Sequence, residues 1–319
     1  MSDMDYVFAV ARIRAKEKNL LTDAEIRQMT GMRSVDEVLN FLSDHGWGDG
    51  SQNLTADGML EQEEEKTRKV LEEIPMEPAV DAVLSYPQLY HNLKAGIKEV
   101  CTVDSHTGIF YDIRGFEAEK VIGILQDRKF QALPEHMKYT AEKAMEVMIK
   151  NRDGQRCDLW IDKGCLEAMR TAGEQASDEA IRNYARTFIA VTDIKIAARS
   201  QRTGKSLKFL QEALAPNDLL DPEGLAQAAA SGRDALLSFL DSHGWQDGAD
   251  ALRRSDSAFD RWCDARVVKA LRMQNGDIES PGPIVAWYLA RQNEIRKARI
   301  ILTGKANGFT EEEIAERVG

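Results

Sequence analysis

Apolar residues recur at helical spacing along most of the chain. Near its start, one helical face carries five of them: Tyr6, Ala9, Val10, Ile13 and Leu20. Good helix formers such as Ala, Leu, Glu, Lys and Gln dominate, only 8 residues are proline, and no strong alternation of β-branched residues stands out. The pattern therefore predicts an all-α fold.

Capping residues mark where several of these helices begin and end. Thr22 with Glu25, and Ser34 with Glu37, have the spacing of a capping box, in which each side chain bonds the other residue's backbone N–H. Gly46 is placed to end the helix that Ser34 opens. Further helices are predicted over residues 79–101, 116–128, 134–151, 156–172 and 177–200, and an extended linker is predicted over 107–115.

Two short elements recur along the chain. A triplet of a polar, an aliphatic and a basic residue returns at intervals of 101 residues, as Asn92-Leu93-Lys94, Asp193-Ile194-Lys195 and Glu294-Ile295-Arg296. A five-residue apolar element occupies residues 38–42, 121–125 and 236–240, and each copy is followed five residues later by an aromatic: Trp47, Phe130 and Trp245. Internal repeats of this kind indicate architecture before chemistry.

Two longer blocks extend the repeat. Asp158, Trp160 and Asp162 reappear 102 residues later as Asp260, Trp262 and Asp264, and the segment 36–50 reappears 198 residues later as 234–248. We therefore predict three similar lobes, spanning residues 1–106, 107–205 and 206–319. The repeated tryptophans are predicted to anchor the lobe cores, and the repeated histidines His45 and His243 to have a structural role at helix ends.

The net charge of −11 narrows the partners that the sequence favours. An acidic surface repels nucleic acid phosphates and anionic headgroups, so neither is an expected direct partner. No stretch reaches the roughly 18 to 20 apolar residues of a membrane span, and the acidic first residues do not resemble a signal peptide. The expected location is the cytosol or, peripherally, the cytosolic face of a membrane.

Several motifs invite a catalytic interpretation that the sequence does not favour. Gly204-Lys205-Ser206 lacks the glycine of a phosphate-binding loop at position 199, where Arg199 stands, and it follows a helix instead of a strand. It is predicted to stop the helix that precedes it, and Gly304 in the repeat of this motif is predicted to do the same.

Paired acids and histidines form no expected active site either. Asp158 with Asp162, and the equivalent Asp260 with Asp264, share a helix face, and their duplication without a nearby histidine favours a surface or interface role. Adjacent Ser242 and His243 are not expected to form a catalytic triad. No pair of histidines has metal-ligand spacing on a helix, and the four cysteines are expected to be free thiols. No catalytic residue, metal or cofactor is predicted.

The order of these motifs resembles a known family, the C/d subunits of V-type and A-type rotary ATPases. Tyr6 to Leu21, with Ala11-Arg12-Ile13-Arg14-Ala15, is similar to the family's opening, and Tyr90-His91-Asn92-Leu93-Lys94 looks like its Asn-Leu-Lys helix. Asp193-Ile194 to Gly204-Lys205-Ser206 resembles the second such helix, and Glu294-Ile295-Arg296 to Thr303-Gly304-Lys305 resembles the C-terminal signature. The resemblance covers essentially the whole chain.

The resemblance implies a fold and a mechanical role. Family members are all-helical, with three similar lobes around a pseudo-threefold axis that form a funnel. The funnel sits on the membrane proteolipid rotor ring, receives the central-stalk shaft subunits and transmits torque for proton or sodium translocation. One copy is expected per complex, and it binds no nucleotide and no cofactor.

Two other interpretations stay open at this stage. A helical-repeat adaptor of the solenoid type would stack its lobes linearly around a concave groove, although a period of about one hundred residues is long for a solenoid. An enzyme would need a pocket with perturbed carboxylates, for instance around Asp158 and Asp162.

Overall fold

The computed structural model describes residues 4–50, 55–102, 110, 111, 113, 115–272 and 278–318. Within them the chain forms helices and no strand, which confirms the all-α prediction. The predicted linker at 107–115 lies largely outside the described residues. The helices are α1 (Met4–Glu17), α2 (Asp23–Gly31), α3 (Val35–Asp44), α4 (Ala56–Glu72), α5 (Pro78–Cys101), α6 (Ala118–Gln126), α7 (Glu135–Asn151), α8 (Gly154–Gln175), α9 (Glu179–Arg202), α10 (Leu207–Ala213), α11 (Pro222–Ser231), α12 (Arg233–Ser242), α13 (Gln246–Arg254), α14 (Asp256–Arg272), α15 (Gly282–Ala306) and α16 (Glu311–Val318).

The chain divides into two compact units. The continuous unit is Glu77–Ala249, and the discontinuous unit combines Met1–Met76 with Asp250–Gly319. The division into three lobes, with boundaries at 106/107 and 205/206, remains a prediction.

In the continuous unit, the long helix α5 packs against α6, α7 and α8, and α8 also packs against α9. The second long helix, α9, packs in turn against α10, α11 and α12. Large apolar side chains fill these contacts, and the following are fully buried: Leu93, Ile97, Leu125, Met137, Ile161, Met169 and Ile181.

In the discontinuous unit, the long helix α15 packs against α1, α2, α3, α4, α14 and α16. One apolar cluster joins the two ends of the chain: Ile26, Met29, Val38 and Leu42 from the N-terminal segment pack with residues of α15 and with Ile314 of α16. The C-terminal helix α16 also packs directly on α2. Hydrophobic burial therefore closes this unit across the chain ends.

The capping predictions fare differently from one helix to the next. Thr22 and Glu25 form the complete capping box of α2. Ser34 caps α3 by accepting from the Glu37 N–H, but the Glu37 side chain bonds the backbone N–H of Arg33 instead of that of Ser34. That second capping box is thus only half formed.

Of the three glycines predicted to end a helix, two are confirmed and one is not. Gly46 and Gly204 have φ values of +80° and +64° and follow α3 and α9, as predicted for helix stops. The prediction for Gly304 is wrong, because α15 continues to Ala306 and the left-handed residue is Gly308, with φ +71°. Gly304 serves packing instead: a Cβ placed there would lie 2.6 Å from Cγ1 of Ile314 in α16.

Candidate functional site

The polar residue of each repeated triplet is buried in the middle of a long helix. Asn92 in α5 and Asp193 in α9 have no exposed surface, and Glu294 in α15 is 5% exposed. Each side chain accepts a hydrogen bond from a backbone N–H outside its own helix. We call Asn92, Asp193 and Glu294 the clasp residues, since each fastens a chain segment to a long helix.

Asn92 holds its segment with two hydrogen bonds to a single residue. Its Oδ1 accepts from the Tyr111 N–H at 2.8 Å, and its Nδ2 donates to the Tyr111 carbonyl at 2.8 Å. An amide side chain satisfies both backbone polar groups of one residue in this way without placing a charge in the core.

Asp193 holds the segment that follows α10. Its Oδ1 accepts from the Ala215 N–H at 3.0 Å, and its Oδ2 accepts from Nδ2 of Asn217 at 2.9 Å. Burial raises the pKa of Asp193 to about 7, and the two hydrogen bonds and nearby Lys163 only partly oppose that effect.

Glu294 holds the residue that precedes the N-cap of α2, and it belongs to a largely buried ionic cluster. Its Oε1 accepts from the Leu21 N–H at 2.6 Å, and its Oε2 pairs with Arg291. Arg291 also pairs with Glu63 of α4, and its guanidinium lies 4.5 Å from the centre of the Trp47 ring. Burial raises the pKa of Glu294, while the charge of Arg291 opposes the rise.

Glu63 connects this cluster to the corner after α3. Its carboxylate accepts from the Gly48 N–H at 2.9 Å and from Lys66 Nζ at 2.6 Å. We define the ionic cluster as Glu63, Arg291 and Glu294. Two buried carboxylates thus share one nearly buried guanidinium, and Lys66 supplies a second cation at the edge.

The aromatic repeat positions differ in burial. Trp47 and Trp245 are buried, whereas Phe130 lies half-buried in a short 3₁₀ turn, and Trp160 and Trp262 are also half-buried. Trp160 meets Tyr139 edge to face, and Trp262 stacks on Phe259.

The repeated histidines lie at matching helix ends. His45 is the C-cap of α3 and His243 that of α12, and their Nδ1 atoms lie 2.8 and 2.7 Å from the carbonyl oxygens of Phe41 and Phe239. Each ring also packs on that same phenylalanine. These contacts agree with the predicted structural role at a helix end.

The repeated aspartates pair with basic residues of the long helices. Asp162 lies 2.5 Å from Lys94 Nζ, and Asp158 lies 3.1 Å from Lys98 Nζ, both across the contact of α8 with α5. In the discontinuous unit, Asp264 pairs with Arg296 across α14 and α15. The basic member of the triplet is therefore the ion-pair partner of the second aspartate in both places.

The phosphate-loop look-alike is a junction between two helices. Ser206 is the N-cap of α10 and accepts from the Phe209 N–H at 3.2 Å, while Lys205 Nζ donates to Gln155 Oε1 at 2.8 Å. The motif follows α9 directly, as predicted, so its backbone does not form the strand-to-helix turn that cradles phosphate.

Adjacent Ser242 and His243 lie within hydrogen-bond distance of each other. Ser242 Oγ lies 3.0 Å from His243 Nδ1, but the same Nδ1 lies 2.7 Å from the Phe239 carbonyl. A carbonyl only accepts, so Nδ1 carries the proton and does not act as a base toward the serine. Ser242 itself donates to the Ser238 carbonyl at 2.9 Å, which is a helix-end contact.

Possible metal ligands do not cluster in the described part of the chain, and three of its four cysteines are buried. There, no group of three His, Cys, Asp or Glu side chains is placed to hold a metal ion. Burial raises the pKa of the Cys157 and Cys165 thiols to about 12, which disfavours the reactive thiolate. Among the same residues, no helix combines the length and apolar character needed to cross a bilayer.

Comparison with known proteins shows the family to which the chain belongs. Residues 9–317 match the sequence profile of the ATP synthase (C/AC39) subunit family. The chain belongs to this family. The resemblance inferred from the order of the motifs along the chain is thereby confirmed.

Individual members of the C/AC39 family align over nearly the whole chain. The C subunit of the A-type ATP synthase of Methanocaldococcus jannaschii is 23% identical, covering 97% of this chain and 85% of its own length. The C subunit of the V-type sodium ATPase of Enterococcus hirae is 20% identical, covering 99% and 98%. The C subunit of the A-type ATP synthase of Halorubrum lacusprofundi is 25% identical, covering 98% and 96%.

The structure of this C/AC39 chain identifies partners of the clasp residues that the sequence did not reveal. Tyr111, Ala215 and Leu21 donate hydrogen bonds to the clasp residues through their backbone N–H groups. Every residue except proline has such a group, so the sequence does not mark these three positions. Arg291 and Glu63 were also missed, because neither belongs to the repeat. Glu63 lies within a run of charged residues, which is ordinarily typical of a solvated helix face.

One surface pocket lies in the continuous unit. It has a volume of about 470 Å³ and is lined by α5, α7 and α8. Small residues that include Ala82, Gly164 and Ala168 line it, together with Tyr86 stacked on His136 at 4.1 Å, and Tyr139 is 62% exposed beside it.

Proposed function

We propose that this chain is a non-catalytic coupling subunit of a V/A-type rotary ATPase. It sits on the proteolipid rotor ring of the membrane sector and receives the central-stalk shaft subunits of the soluble sector. In that position it transmits torque between ATP turnover and the translocation of protons or sodium ions. One copy serves each complex, bound peripherally at the cytoplasmic face of the membrane.

The family match over residues 9–317 is the observation that carries this proposal. It leaves only the first eight and last two residues unmatched, so the proposed role concerns the entire chain. The names of the relatives, which are the C subunits of A-type ATP synthases and of a V-type sodium ATPase, support the same assignment.

The architecture suits a part that carries load. The continuous unit contains two helices of 24 residues and the discontinuous unit one of 25, and each holds a separate segment of its own unit through a buried clasp residue. Closely packed helices with satisfied buried polar groups deform little, because their side chains have few alternative arrangements. A stiff body is what torque transmission requires.

Affinity purification from detergent-solubilised membranes tests the assembly directly. A tagged copy of the full chain is expected to bring down the proteolipid subunit and the shaft subunits, identified by mass spectrometry. Recovery of soluble partners alone, without any proteolipid or shaft subunit, would contradict the proposal.

Deletion of the gene tests the coupling role. Membrane vesicles are then expected to lose ATP-driven ion pumping, while the detached soluble sector retains ATP hydrolysis, and the wild-type chain supplied in trans restores pumping. Vesicles that pump at the normal rate without the chain would show that it is not the coupler.

A further inference from the structure

The three clasp residues occupy equivalent repeat positions but differ in chemistry. Asn92 is neutral, Glu294 is paired with the Arg291 guanidinium, and Asp193 is held by two neutral donors, a backbone N–H and an amide. A buried carboxylate without a hydrogen-bonded cation costs more free energy than a paired one or a neutral amide. Asp193 is therefore the clasp residue whose hold depends most on its protonation state.

The charged groups around Asp193 are already engaged. Lys163 of α8 favours the ionised form, but its Nζ donates to the Glu212 backbone carbonyl at 3.2 Å. The Glu212 side chain in α10 pairs with Arg156 of α8 at 2.9 Å. Among the described residues, Lys163 is the charged group that acts on Asp193, and it offsets only part of the cost of burial.

The segment held by Asp193 is short and partly exposed. It runs from the end of α10 at Ala213 to the start of α11 at Pro222, and within it Leu219 is 43% exposed. Asn217 connects the carboxylate to this outer part, since its Nδ2 donates to Asp193 and its Oδ1 accepts from the Leu219 N–H at 3.1 Å. A change at Asp193 is thus transmitted to the surface through one side chain.

We infer that Asp193 is a clasp residue that responds to protonation. It holds residues 214–220 on α9 more tightly when its carboxyl group is protonated than when it is ionised. Opening the segment gives the carboxylate access to water, so ionisation favours the open form. The device is local, because the Asn92 side chain does not titrate and Glu294 faces the Arg291 guanidinium, whose charge opposes the effect of burial on its pKa.

The direction of the pH dependence follows from linkage. In water, an aspartate has a pKa of about 3.9, whereas burial raises the pKa of Asp193 in the closed form to about 7. The closed form then binds the proton more tightly, so its advantage is complete below about pH 4 and is lost as the pH rises toward about 7.

Hydrogen exchange of the full chain, followed by mass spectrometry between pH 5 and 8, tests the inference. After correction for intrinsic exchange, protection of residues 214–220 is expected to fall with rising pH, approaching about tenfold per pH unit below pH 7. Asp193→Asn should remove that dependence. Asp218→Asn is the matched control, because Asp218 lies in the same segment with a 70% exposed side chain that pairs with Arg186 of α9 at 3.6 Å. Any protection lost with that ion pair should be lost equally at every pH from 5 to 8, so the pH dependence of this variant should match the wild type.

A carbon-13 titration of the aspartate carboxyl groups in the wild-type chain provides a test that needs no variant. The resonance assigned through Asp193→Asn, or through its proximity to the Ala215 amide, should titrate near neutral pH. A midpoint below pH 5 would overturn the inference. So would protection of residues 214–220 that changes with pH equally in the wild type and in Asp193→Asn.

Discussion

At the scale of single residues, the ionic cluster of the discontinuous unit places three charged side chains where they have little contact with water. The side chains of Glu63, Arg291 and Glu294 are 3%, 11% and 5% exposed, so little water screens them. Arg291 bridges both carboxylates and also covers the Trp47 ring. Removing the guanidinium leaves two like charges buried together, which is a larger perturbation than losing one surface ion pair.

Arg291→Met is therefore expected to lower the free energy of unfolding by about 3–5 kcal/mol, because it preserves side-chain length but leaves two buried carboxylates without their shared partner. Arg299→Ala is the matched control in the same helix. Its ion pair with Glu64 has side chains 46% and 40% exposed, and its loss should cost about 0–1 kcal/mol. Chemical denaturation followed by circular dichroism measures both variants, and equal losses would refute a special role for the buried cluster.

At the scale of helices, the arrangement around α15 parallels the one around α9. The long helix α9 is followed by the short helix α10 and packs against α11 and α12, and Trp245 lies three residues after the end of α12. The long helix α15 is followed by the short helix α16 and packs against α2 and α3, and Trp47 lies three residues after the end of α3. The N-terminal helices α2 and α3 therefore pack on α15 in the way that α11 and α12 pack on α9.

The sequence predicted the helices better than it predicted their partners. Bounds such as 79–101 for α5 and 134–151 for α7 follow from local periodicity and capping, which each segment encodes by itself. Which helix covers which is decided by burial between distant segments. The match of residues 36–50 with 234–248 did indicate that α3 and α12 are equivalent, but it did not indicate that α3 packs on α15.

The candidate site was predicted only in part for a similar reason. The triplet repeat singles out Asn92, Asp193 and Glu294 in the sequence itself, because polar side chains recur there at a fixed interval. Their acceptor role depends on backbone N–H groups, which every residue but proline possesses. Spacing therefore identifies one side of each clasp and leaves the other side to the tertiary structure.

The contact of α16 with α2 yields a test of this closure across the chain ends. Ile314 is fully buried in the cluster with Ile26 and Met29, so Ile314→Ala should cost about 2–5 kcal/mol and loosen the packed helices around it. Hydrogen exchange is expected to rise in residues 23–44, far away in sequence. Glu316→Ala in the exposed face of the same helix is the control, and unchanged exchange in α2 and α3 of the Ile314 variant would argue against the closure.

At the scale of the whole molecule, the two units differ in how the chain builds them. The continuous unit draws all its helices from one stretch, with its own buried core around α5, α8 and α9. The discontinuous unit needs both ends of the chain, since the core of α15 is completed by residues such as Val38 and Leu42. Independent folding is expected where a segment contains its whole core.

Fragments of the chain should reveal this difference. A fragment of residues 77–254, which keeps α13 whole, is expected to be helical and to unfold cooperatively by itself. A fragment of residues 255–319 should have little helix in isolation, because helices without their packing partners are marginal in water. Adding a fragment of residues 1–76 should restore helicity to the mixture, measured by circular dichroism. Full helicity and cooperative unfolding of residues 255–319 alone would show that the N-terminal segment is not needed to complete the core of α15.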